Sequence, residues 1–314
     1  HCLQRRQTSC ATIIMRSLLV LACASVAVSA VIKERPELKA ALALRGGGPV
    51  QAVATVKTPP EAYHGLAEKG AANAKLDVAK ILHQSIMGGC YVGMGGLLST
   101  VVAGNCGGIA KSDPGLQKFI FAALFPMNLL LILNTGGQLF TGNAASVAAA
   151  YFEGLVTFGE LIKNWCISYL GNVVGCGGFA LAANYCGLLA GGTAELAKYT
   201  VTKKVGSAFG PTLVKAIMCN WLVCMAVWLA GQANDMAGKM VGIWFPISTF
   251  VAIGLEHSVA NMFLLPLGLM GGADVSLSDA VFKNMIPVTL GNAIAGAGIV
   301  GAGYSYAFGK LGGK

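Results

Sequence analysis

Charge is what this sequence most lacks. Only 11% of its 314 residues are Asp, Glu, Lys or Arg, against roughly 25% in an ordinary soluble domain. The apolar material falls in blocks nearly free of charge: 81–110, 119–152, 164–194, 216–234, 240–273 and 284–309. A helix needs about 20 mainly apolar residues to cross a bilayer, so the blocks predict an integral membrane protein with six transmembrane helices. A soluble bundle would need amphipathic helices to cover its core, and only residues 61–80 offer one.

Other absences narrow the chemistry. The net charge of +9 is scattered through tails and connections, with no basic face interleaved with aromatics, which argues against nucleic acid. The ten cysteines show neither C-x-x-C nor any other ligand spacing, so no disulfide framework and no metal is expected. Cys90, Cys166, Cys176, Cys219 and Cys224 lie in apolar blocks, where a thiol acts as a small hydrophobe. Glycine-rich runs occur without the Gly-Lys-Ser/Thr of a phosphate loop. With no cofactor motif and no nucleophile–base–orienter set, the chain does not read as an enzyme.

The first 55 residues differ from the rest. Met15 opens "MRSLLVLACASVAVSA", which has the form of a signal peptide ending near Ala30. A stretch containing Lys, Arg, Ala and Gly follows. Residues 1–55 are expected to be a targeting segment and tail, and 56–314 the membrane domain. Such a leader suits the envelope of a plastid bounded by additional membranes; the plasma membrane or another secretory-pathway membrane is the other address. After Pro59-Pro60, residues 61–80 predict an interfacial helix.

Residues 119–152 are too long for one perpendicular span: 34 residues reach about 51 Å, against roughly 30 Å of hydrocarbon. A break is expected at "LFTGN", Leu139 to Asn143, with Gly142 permitting the turn and Asn143 capping the next half-helix. The block 240–273 has the same character: Pro246, then "LEHSVAN" from Leu255, with Asn261 placed to cap, then Pro266. "KNWCISYLGN" from Lys163 and "KNMIPVTLGN" from Lys283 repeat at an offset of 120 residues. Each half therefore holds a span, a broken span and a "KN…LGN" span. Three spans per half make the second half enter from the opposite side. Inverted repeats with broken helices commonly build a transport site, and unwound backbone at membrane depth must be buried or line a wet path.

Glu256 and His257 are the only ionisable residues between Met240 and Ala273. Adjacent residues lie about 100° apart around a helix, so they serve different purposes. His257 is assigned to the pathway and Glu256 to hydrogen bonding with the facing broken loop, although the sequence alone permits the reverse. Thr141 is the natural companion of His257, its hydroxyl donating to a ring nitrogen. Asn220, in the fourth span, lines the route or joins helices. Phe125, Leu129 and Phe250 lie near the broken elements and either narrow a pore or pack.

"LFTGN", "LEHSVANMF", "KNW…YLGN" and "KN…VTLGN" together resemble the formate/nitrite transporter family, over roughly residues 55–310. That resemblance implies an all-α membrane protein of six transmembrane helices in an aquaporin-like three-plus-three inverted repeat, with the second and fifth helices broken. It implies a homopentamer in lipid, each subunit passing small monovalent anions, and the expected movement is either passive or coupled to protons. It makes Thr141 and His257 the hydrogen-bonded central pair, places Phe125, Leu129 and Phe250 at constrictions, with Leu139 and Phe140 beside them, and matches Asn220 and Lys204 to a pore asparagine and a vestibule lysine. Asn128 and Asn134 add a polarity to the second span that bears on substrate preference. Lys198, Lys203, Lys204 and Lys215, against Glu195, are expected to gather anions at one mouth. Nitrite or formate is the expected substrate, with bicarbonate or a neutral solute as alternatives.

Overall fold

The computed structural model describes residues 56–313; the expected signal peptide and the tail to residue 55 lie outside them. Thr58 and Glu61 form a reciprocal capping box, and Pro59 opens α1, Pro59–Lys75. The Thr58 backbone N–H holds the exposed Glu61 carboxyl below its ordinary value. The expected helix 61–80 ends early, because Leu76 turns extended and Asp77 caps a new helix through the Lys80 N–H. That helix, α2 (Val78–Gly104), is the first span.

A short α3 (Gly107–Ser112) leads to the second span, Pro114–Thr135, made of α4 (Pro114–Leu124) and α5 (Met127–Thr135). Half-helix α6 (Phe140–Phe152) follows, then α7 (Phe158–Tyr185), α8 (Gly191–Val205) and α9 (Phe209–Gln232). The fifth span, α10 (Met236–Ile253), is followed by half-helix α11 (Ser258–Met270). The last, α12 (Leu277–Phe308), holds two π-helical segments, Ala280–Met285 and Ala295–Ala302, which the sequence pattern did not announce. Among the described residues, six helices are long and apolar enough to cross a membrane. Large apolar residues such as Leu181 and Phe245 are exposed on their outer faces, where a bilayer would meet them.

Both breaks are present, shifted from their expected positions. The first spans Gly136–Leu139; Gly136 ends α5 at φ +81°, and Thr141, Gly142 and Asn143 already belong to α6. The second spans Gly254–His257, with Gly254 at φ +77°, while α10 and α11 run through Pro246 and Pro266 without ending. Glycine terminates each helix because it enters the left-handed region at little cost. Asn143 and Asn261 do not cap. His257 caps α11 instead, its Nδ1 accepting from the Ala260 N–H at 3.0 Å.

The caps that matter come from the repeated "LGN" asparagines, across the bundle. Asn172 Oδ1 accepts from Phe140 N at 2.9 Å, and Asn292 Oδ1 from Ser258 N at 2.8 Å. Each therefore satisfies the first N–H of one half-helix. The preceding glycines let these helices approach: a Cβ at Gly171 would meet Ser85 Cβ at 2.5 Å, and one at Gly291 would meet Leu213 O at 2.6 Å. Tyr169 and Thr289, themselves 120 residues apart, share a hydroxyl hydrogen bond of 3.1 Å, which places them at the axis relating the halves. The inverted repeat also includes α1 and α8. Asn164 donates to Asn73 O on α1 as Asn284 donates to Lys204 O on α8.

Candidate functional site

The half-helices α6 and α11 begin at the centre of the bundle and run to opposite faces, α6 packing on α1 and α11 on α8. Their N-termini carry partial positive charge. Between them, His257 Nε2 lies 3.0 Å from Thr141 Oγ1. Because Nδ1 accepts from Ala260 N, it carries no hydrogen, and the hydrogen sits on Nε2. The ring thus donates to Thr141, the reverse of the expected direction. Both residues are buried.

Three voids line up through this centre. The largest, about 570 Å³, opens beside α8 and ends on Phe125, Phe250, Glu256 and His257. A second, about 10 Å³, is bordered by Phe125, Asn128, Leu129, Leu139, Phe250 and His257. A third, about 20 Å³, lies beyond Leu129 and Leu139 and is reached from α1, with Lys69 and Asn73 on its wall. Phe125 and Phe250, edge to face with centroids 6.2 Å apart, divide the first from the second; Leu129 and Leu139 divide the second from the third. Phe140 borders none of the three and packs against Trp165 and Tyr169. Asn220 also stands off them, its amide donating to Thr141 O and Asn292 O and so joining α9 to α6 and α12.

Glu256 does not bond the facing broken loop. Its Oε2 accepts from Lys204 Nζ at 3.0 Å, Asn261 Nδ2 at 2.8 Å and Asn284 Nδ2 at 3.2 Å. The first repeat builds the same arrangement around Gln138, whose Oε1 accepts from Asn143 and Asn164. Lys203, Lys204 and Lys215 line the large cavity. Lys198 does not; it pairs with Glu195 at 2.6 Å. Lys118, at the start of the second span, lines the cavity too and carried no sequence signal, since the α8 lysines that share this wall lie far from it in sequence.

A profile of the formate/nitrite transporter family matches residues 60–306. The chain belongs to that family. A probable formate transporter of Methanothermobacter thermautotrophicus is 39% identical over 252 residues, 74% of this chain and 90% of that protein. Among solved structures, an FNT family ion channel superposes with a TM-score of 0.72 at 29% identity, over 79% of this chain and 98% of that one. A pentameric formate channel with formate bound gives 0.65 at 27% identity, over 74% and 97%. Members of this family are transporters and channels rather than enzymes, and the formate/nitrite transporter fold accounts for the six spans, the inverted repeat and the two breaks.

Proposed function

We propose that each subunit passes small monovalent anions, formate and nitrite foremost, along the line of three voids, with His257 as the central hydrogen-bond donor. The observation that carries this reading is the buried His257–Thr141 pair at the meeting point of two half-helix N-termini. Lys118, Lys203 and Lys215 raise the anion concentration in the large vestibule. A bare anion crossing the Phe125–Phe250 and Leu129–Leu139 constrictions sheds water at a cost of several kcal/mol or more. The Nε2–H resting on Thr141 is the donor offered in its place, and a weak acid that arrives with its proton crosses most easily. The bound-formate pentamer among the structural neighbours supports a homopentamer with a pore in every subunit.

The test is uptake of labelled formate, nitrite and bicarbonate into liposomes across pH, with native mass giving the copy number. Wild type should carry formate and nitrite, faster as external pH falls, and His257→Phe should lose at least tenfold of that flux. An unchanged pH-dependent flux in the variant would sink the histidine role.

A further inference from the structure

Eight asparagines are buried among the described residues, and seven of them donate through their side-chain amides to protein acceptors. Asn128 is the exception. It is 4% exposed, and its Nδ2 has no protein acceptor. A buried donor without a partner costs stability wherever it sits. This one sits on the wall of the small chamber, with His257 on the same wall.

The helix that carries it explains the placement. Phe125, Asn128 and Leu129 stand at i, i+3 and i+4, on one face of the second span. Phe125 belongs to one constriction and Leu129 to the other, and Asn128 borders the chamber between them. Room for it comes from α2: a Cβ at Gly95 would lie 2.9 Å from Asn128 Cβ and 3.1 Å from Nδ2. A half turn of the amide exchanges its nitrogen and oxygen within the same outline. Asn134, the other asparagine of this span, behaves differently, since it is exposed and donates to Leu130 O at 2.7 Å.

We propose that Asn128 is a second substrate donor, which with His257 makes the chamber a two-donor site selecting small planar oxyanions over spherical anions. A carboxylate or nitrite presents two acceptor oxygens, one for each donor, whereas chloride presents one centre. The chamber, at about 10 Å³, just reaches the least volume that holds a water molecule, so a three-atom anion enters it only as the side chains of the two constrictions move apart. The inference rests on the transport reading above.

Full-length protein in liposomes, with Asn128→Ala and Asn128→Ser, tests it through formate, nitrite and chloride flux and the thermal midpoint. Asn128→Ala should lower formate and nitrite flux on the order of tenfold, the worth of one hydrogen bond to a charged group. Chloride flux should hold or rise, and the midpoint should not fall, because an unpaired donor has been removed. Asn128→Ser, which keeps a donor, should restore part of the selectivity. A wild-type ratio of formate to chloride flux in Asn128→Ala overturns the proposal and leaves the His257 reading standing, as does a uniform loss of all three fluxes with a lowered midpoint. A wild type that carries neither formate nor nitrite overturns both.

Discussion

Gln138 and Glu256 occupy matching places in the two halves, each accepting from two asparagines, yet only Glu256 is charged and only it meets a lysine. The difference isolates what the charge adds. Glu256→Gln would keep the two asparagine contacts, as Gln138 does, and leave Lys204 without its counter-ion. Removing one partner of a fully buried pair costs about 3–5 kcal/mol; Lys204 also faces the vestibule, so a loss of about 1–3 kcal/mol is expected, read as a lower melting temperature in detergent. Freed of its carboxylate, Lys204 should hold anions longer, lowering both KM and maximal flux in the liposome assay. The His257–Thr141 pairing was legible in the sequence because each residue adds polarity to an apolar run beside one of the two repeat-related breaks. The environment of Glu256 was not, because its partners arrive from α8 and α12, and no local pattern records a hydrogen bond between residues 28 or 52 positions apart.

Each half-helix depends on a glycine before it and an asparagine beside it. Gly136 and Gly254 adopt left-handed backbone with no atom within 4 Å of an added Cβ, so alanine at either would be penalised by conformation alone, about 1–2 kcal/mol. Gly142, expected from sequence to make the turn, lies inside α6, and a Cβ there would touch Val227 at an ordinary 3.6 Å. Gly136→Ala and Gly254→Ala should therefore each lower the melting temperature by a few degrees, while Gly142→Ala should not. The existence of both breaks could be read from length and polarity. Their positions slipped by a few residues because "NTGGQLFTGN" offers several glycines, and only packing decides which of them turns. The "LGN" repeat was visible as a pattern; that its asparagines cap half-helices more than 30 residues away in sequence was not.

At the scale of the whole molecule, a symmetric frame carries asymmetric charge. The vestibule beside α8 has Lys118, Lys203 and Lys215 on its wall, whereas the void reached from α1 has Lys69. Lys203→Gln with Lys215→Gln should slow uptake from the α8 side several-fold at low ionic strength. The defect should fade as salt rises and the screening length falls from about 30 Å at 0.01 M to about 8 Å at 0.15 M. Uptake from the opposite side should change little, and oriented liposomes at two salt concentrations distinguish the cases. The two half-helices, by contrast, are matched and opposed. Their dipoles meet head to head and cancel along the membrane normal, so a transmembrane voltage exerts almost no net force on the pair and acts on the permeating ion alone. Electrical driving of flux should then follow the valence of the ion, with no gating charge contributed by the helices that hold the centre.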